Sequence, residues 1–220
     1  MRTKKLNKMM TISDFEKSNI SFPELLKARS ELKIAIIDDR GFDADGLRKQ
    51  GFNSVDVFTE YTTPKDFEHF DVIVTDIDGV GVSLNKQKQG IAVAKTLKDI
   101  YPLKIILIFS SFDPKSFDPD YLKYCDGFME KGWPISERGD YISEKAAVFW
   151  DPVLAWKKSE RFFREKGIAN KVIADIEDDY VQSLTTKSNK IENGGYEAPI
   201  ELAIAGVSLL VQIITAIQGR

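Results

Sequence analysis

From residue 32 onward the chain alternates short apolar runs with amphipathic segments. The runs at 33–37, 54–58, 71–75, 104–109 and 127–130 have the length of strands. Ile34-Ala-Ile-Ile, Val72-Ile-Val and Ile105-Ile-Leu-Ile are apolar at successive positions rather than alternate ones. A strand that is apolar on both faces is covered on both faces, as parallel strands are when helices flank the sheet. The segments between, at 43–50, 64–70, 89–101 and 114–124, carry helical patterning. Strand and helix in this rhythm predict an α/β domain over 32–135 with five parallel strands, doubly wound, those three runs at its centre.

The flanks read differently. Residues 1–31 begin with a basic segment (Arg2, Lys4, Lys5, Lys8), and Ser21-Phe-Pro-Glu then sets an N-cap and an early proline before a short helix. An α-helical extension is expected over 136–185. Within it, Asp151-Pro152 starts one helix and Gly167 ends it, and a second helix over 168–184 carries Ile168, Val172, Ile173, Ile176, Tyr180, Val181 and Leu184 on one stripe. Trp150, Trp156, Phe162 and Phe163 serve either as the core of this extension or as anchors for self-association. Residues 186–199 read as a flexible polar linker.

A hydrophobic C-terminal helix over 200–220 completes the pattern, with no charge between residues 202 and 217. At 1.5 Å per residue that uncharged stretch spans about 24 Å, short of a hydrocarbon core of about 30 Å. Glu201, Ser208, Gln212 and Thr215 fall on one helical stripe. Three outcomes are open: packing on the protein, a surface-lying membrane anchor, or a short membrane-spanning helix whose polar stripe faces partner copies.

Composition narrows the classes. The chain has 220 residues, 43% hydrophobic and 30% charged, with a net charge of −3, values of an ordinary globular protein. That charge offers no global attraction for phosphate backbones, so no nucleic-acid partner is expected. The sole cysteine, Cys125, can form no intramolecular disulfide and reads as a buried thiol. His69, the sole histidine, reads as a surface residue, which sets aside a zinc site or a Cys-His nucleophile. The N-terminus lacks a signal-peptide core, so a cytoplasmic location is expected, with membrane association through residues 200–217 as the variant.

In an open parallel sheet, ligands bind beyond the carboxyl ends of the strands. The first strand ends on Asp38 and Asp39, the third on Asp76 with Asp78 two residues later, the fourth on Ser110 and the fifth on Lys131. Four carboxylates converging on one crevice repel unless a cation sits among them, and an all-oxygen set suits Mg²⁺.

Ile36-Ile-Asp-Asp, Asp71-Val-Ile-Val-Thr-Asp, Ile105-Ile-Leu-Ile-Phe-Ser and Asp126-Gly-Phe-Met-Glu-Lys resemble the signature of the receiver domains of two-component response regulators. The resemblance covers a little under half the chain and implies a flavodoxin-like sheet. It implies that Asp39 and Asp76 ligate Mg²⁺, that Asp38 acts through water, and that the Asp78 backbone carbonyl completes the set. Asp76 would be the phosphoacceptor, served by a histidine kinase or phosphotransfer protein, with Ser110 and Lys131 on the phosphoryl oxygens. Phe128 matches the switch aromatic that moves with Ser110, and the output would be helical or membrane-associated. Three departures stand out. A long Gly-rich loop without the family's proline follows Asp76, Lys131 is followed by Gly132 instead of proline, and Asp78 adds a carboxylate beside the acceptor.

Val72-Ile-Val-Thr-Asp-Ile-Asp-Gly-Val also resembles the first motif of haloacid-dehalogenase-like phosphohydrolases. That alternative makes Asp76 the nucleophile and Asp78 the acid/base, with Arg138-Gly-Asp140 as a late metal motif. A pseudo-receiver that binds partners without being phosphorylated is the remaining alternative.

Overall fold

The computed structural model describes residues 10–15, 21–111, 123–194 and 210–215, with side chains described to residue 186 in the long helix that ends at Gly194. Five strands form one sheet: β1 Lys33–Ile37, β2 Ser54–Phe58, β3 Val72–Asp76, β4 Ile105–Ser110 and β5 Gly127–Glu130. Their order is β2-β1-β3-β4-β5 and every pair is parallel. β3 and β4 run one residue past the apolar pattern, because Asp76 and Ser110 continue the ladder, paired with Phe109 and Glu130.

Both faces of the sheet are covered. On one, Ala35, Ile37, Ile73, Ile106 and Ile108 join Ile91, Ala94 and Leu97 of α3 (Gln89–Ile100) and the aromatic group Tyr61, Phe67 and Phe70. The alternate strand residues Ile34, Ile36, Val72, Val74, Ile105 and Leu107 are equally buried on the other. Three helices meet around Arg29: α1 Phe22–Glu31, α2 Ala44–Lys49 and α4 Ile135–Lys145. From α1, Arg29 Nε donates to Ser143 Oγ at 2.8 Å, Nη2 to Asp140 at 2.6 Å and Nη1 to the Gln50 carbonyl at 3.3 Å.

The caps explain the helix starts. Glu24 accepts from the Ser21 N–H at 2.9 Å, and Asp43 accepts from the Gly46 N–H at 2.8 Å. The helix expected at 64–70 is a single 3₁₀ turn, Pro64–Phe67. Phe67 and Phe70 both bury, at the three-residue spacing that such a turn places on one side. α4 lies in the stretch expected to belong to the helical extension, but it is part of the sheet unit. Its apolar pattern is sparse because it packs through small residues: a Cβ at Gly139 would lie 2.1 Å from Gln50 Oε1, and Ser143 is buried.

The chain divides into two compact units, Ile20–Ala147 around the sheet and Met1–Asn19 with Val148–Arg220. The sheet unit therefore takes in α1 and α4. The second unit holds α5 Pro152–Glu165, α6 Asn170–Gly194 and the 3₁₀ turn Ile12–Phe15. Asp151 caps α5, accepting from Val153 N–H at 2.8 Å. Trp150, Trp156, Phe162 and Phe163 are buried here, and Trp156 stacks on Tyr180 at 5.8 Å. α6 continues to Gly194, into the stretch read as a linker.

Residues 112–122, with most of the helix expected at 114–124, lie outside the described residues, as does all of the tail except 210–215. That piece is helical, with Leu210 and Ile214 buried and Val211 exposed. Among the described residues, no helix is long and apolar enough to cross a membrane.

Candidate functional site

The strand order decides which residues meet. β1, β3 and β4 are adjacent and in register, so Asp38 and Asp39 after β1, Asp76 closing β3 and Ser110 closing β4 share the carboxyl edge. Lys131, directly after β5, donates its N–H to the Ser110 carbonyl at 2.9 Å, which brings it to the same edge.

Asp38, Asp39 and Asp76 each present a carboxylate oxygen within 4.8 Å of the others. Asp38 is 1% exposed and Asp76 3%. The Lys131 ammonium is hydrogen-bonded to Asp76 Oδ2 and lies 3.5 Å from Asp38 Oδ2. Asp76 Oδ1 accepts from the Ile77 N–H at 2.7 Å and the Asp78 N–H at 3.4 Å, and Asp38 Oδ1 accepts from the Arg40 N–H at 2.9 Å. Asp38 Oδ2 is buried with no hydrogen-bond partner. Three converging carboxylates, two of them facing one ammonium and one with an orphaned buried oxygen, fit a divalent metal site.

Asp78 lies at the half-buried start of the following loop, and its carboxylate is not among the converging oxygens. The glycines of that loop have a steric reason. Gly79 has φ +87°, and a Cβ there would lie 2.4 Å from Asp39 Oδ2, so the Asp39 carboxylate occupies the place of a side chain. The Gly79 N–H is accepted by Gln89 Oε1 at 2.7 Å. Gly90 lets α3 press on the end of β3, where a Cβ would meet the Asp76 carbonyl oxygen at 1.7 Å.

Ser110 is buried, and Phe128 is half-buried against the core, its N–H donated to the Tyr141 hydroxyl at 3.0 Å. The peptide bond between Lys131 and Gly132 is trans, as are all those described. His69 is exposed, and burial pushes the half-buried Cys125 thiol up from its ordinary value. Asp140 pairs with Arg29 and is absent from the acidic cluster, so the late metal motif does not form.

Arg138, by contrast, belongs to the site's surroundings. Its Nη2 donates to the Lys131 carbonyl at 2.6 Å and its guanidinium lies 5.0 Å from the Phe109 ring centre. Burial lowers its pKa from the ordinary value, opposed by the charges of Asp43 and Asp38. Its role here was not legible in the sequence, since it depends on where α4 returns.

No family model matches the chain, and no curated protein does. Solved structures do match. An orphan response regulator of H. pylori is 15% identical, with 54% of this chain and 98% of that one covered at a TM-score of 0.42. A response regulator from Burkholderia pseudomallei, solved with a phosphorylated aspartic acid, calcium ion and citrate, is 19% identical, with 66% and 91% covered at 0.40. RcsB from Salmonella enterica serovar Typhimurium, bound to a promoter in the presence of phosphomimetic BeF3−, is 16% identical, with 82% and 98% covered at 0.39.

The five parallel strands in the order β2-β1-β3-β4-β5 decide the fold on their own. The sheet unit has the flavodoxin-like fold, the fold that the resemblance to receiver domains implies. In this unit the resemblance read from the strand ends and the topology of the sheet agree. One expectation is overturned. RcsB, matched over 82% of this chain, is seen on a promoter, so the exclusion of nucleic-acid partners does not stand. Net charge is a whole-chain sum and describes no single face.

Proposed function

We propose that the receiver unit is a phosphoacceptor in a phosphorelay, with Asp76 as the residue that is phosphorylated. The observation that carries this reading is the Lys131 ammonium bonded to the buried Asp76, with the buried Asp38 and the exposed Asp39 carboxylates beside it. An Asp76 carboxylate oxygen attacks phosphorus and forms an acyl phosphate. The bond from phosphorus to the donor breaks, and the leaving group, the imidazole of a kinase or phosphotransfer protein or a small carboxylate, departs with the bonding pair. Lys131 then pairs with a phosphoryl oxygen in place of the carboxylate, and the buried Ser110 hydroxyl donates to another.

Asp39, Asp76 and the Asp78 backbone carbonyl would hold Mg²⁺, with Asp38 acting through water. The ion would supply neutralisation of charge on the phosphoryl oxygens. Phe128 is packed half in the core, and its movement with Ser110 would carry the change away from the site. Burial of Leu210 and Ile214 supports packing of the tail on the protein over insertion into a membrane. The phosphohydrolase alternative needs Asp78 as acid/base beside Asp76, and its carboxylate is not among the converging oxygens, which counts against it.

Intact-mass analysis of the full chain with Mg²⁺ and acetyl phosphate, beside Asp76→Ala, tests the proposal. A phosphoryl-sized gain that needs Asp76 is expected. A folded protein that gains no mass would leave a pseudo-receiver, and rapid cleavage of a phosphomonoester that Asp78→Ala abolishes would favour the hydrolase.

A further inference from the structure

Lys131 has to deliver its ammonium to Asp76 from a turn without a stiffening residue. Gly132 follows it directly, and a Cβ built there meets nothing within 4 Å. The turn itself closes only through the Trp133 N–H on the Glu130 carbonyl at 3.2 Å, and Lys131 is tied to β4 by the bond from its N–H to the Ser110 carbonyl at 2.9 Å. What holds the carbonyl side of Lys131 is Arg138, in the first turns of α4, through the 2.6 Å bond from Nη2.

Arg138 also reaches the side chain of Lys131 through a shared ring. The guanidinium lies 5.0 Å from the centre of Phe109 and 5.4 Å from that of Phe42, while the Lys131 ammonium lies 5.1 Å from the same Phe109 ring. Phe42 meets Phe109 edge-on at 5.0 Å, which fixes the ring that both cations use. Phe109 is the residue immediately before Ser110. Arg138 Nε is buried without a hydrogen-bond partner. An unpartnered donor costs stability, which marks an arrangement set by position and not by saturation of hydrogen bonds.

We propose that Arg138 is a positioning residue that holds Lys131 in the geometry in which the ammonium meets Asp76. The proposal rests on the phosphoacceptor reading of the site. Arg138 acts through Lys131, so its effect is present only while Lys131 is.

The test measures phosphoryl gain by the full chain with Mg²⁺ and acetyl phosphate for the native protein and for Arg138→Met, Arg138→Lys, Lys131→Ala and the Lys131→Ala/Arg138→Met double variant. Arg138→Met is expected to slow phosphorylation about tenfold, the scale of one charge-assisted hydrogen bond. Arg138→Lys should recover most of that rate, and the double variant should be no slower than Lys131→Ala alone. A merely structural role would not produce this masking. If Arg138→Met does not fold, Arg138→Gln takes its place in both backgrounds. Phosphorylation at the native rate in Arg138→Met, or a further slowing in the double variant, overturns the proposal while leaving the phosphoacceptor reading intact. Absence of labelling in the native protein overturns both.

Discussion

Asp38 is the most buried of the three clustered carboxylates for which a charge can be removed without losing the acceptor, and asparagine is nearly its isostere. Asp38→Asn keeps the Oδ1 that accepts from Arg40 and replaces only the orphaned Oδ2. At an effective dielectric of about 20, a repulsion between charges at the 4.8 Å limit of the cluster is about 3.5 kcal/mol. The attraction to Lys131 at 3.5 Å is about 4.7 kcal/mol on the same scale. Asp38 faces two carboxylates and one ammonium, but the Asp39 side chain is 36% exposed and its share is screened. With that share cut by screening to about 2 kcal/mol, the two repulsions together exceed the attraction, and the variant gains about 1 kcal/mol in the absence of divalent metal.

On the metal-site proposal, Mg²⁺ should reverse the ranking. A cation bound only by the folded state stabilises by about 2.7 kcal/mol at a hundredfold excess over its dissociation constant, and the variant binds it more weakly. Urea unfolding followed by circular dichroism, with Mg²⁺ and with a chelator, reads both effects. The variant should unfold later than the native protein in chelator and gain less from Mg²⁺. An Asp38→Asn protein that unfolds earlier in chelator, with an undiminished magnesium increment, would refute the claim that carboxylate repulsion dominates this pocket.

Other substitutions probe the frame of the site. Arg29→Met should destabilise by about 2 kcal/mol in urea, mainly through the lost bonds to Ser143 and the Gln50 carbonyl, because the Asp140 partner is 74% exposed and contributes little. Gly90→Ala should cost about 3 kcal/mol, since its Cβ would meet the Asp76 carbonyl oxygen, and Mg²⁺ affinity measured by titration should fall with it. Lys104 is pushed down to about 8 by burial, against the pull of Asp71 and Glu68. Below that value both states are protonated and the cost of burying the ammonium is present in full. Between about 8 and the ordinary 10.5 the unfolded chain keeps a proton that the folded chain has released, so stability climbs with pH. Unfolding measured across this range should show a shallower climb in Lys104→Gln, and identical slopes would count against the burial argument.

Much of the sheet unit was legible along the chain. Near-continuous apolar runs can be buried only by cover on both faces, so Ile34 to Ile37, Val72 to Val74 and Ile105 to Ile108 announced parallel strands. The polar residues that close them, Asp38, Asp76, Ser110 and Lys131, announced a chemical edge. Other features waited for the tertiary structure. α4 packs through Gly139 and Ser143, so it leaves little apolar periodicity, and Arg138 acquires its partners only when α4 returns beside Phe42 and Phe109. Along the chain Gly79 and Gly90 belong only to a long Gly-rich stretch after Asp76, whereas in the fold each is a place where another group stands too close for a Cβ. Hydrophobic periodicity is a local record of which residues are buried. Strand order, the return of helices and the approach of backbone to backbone are set by contacts between distant segments, and these decide what the buried and strand-ending residues face.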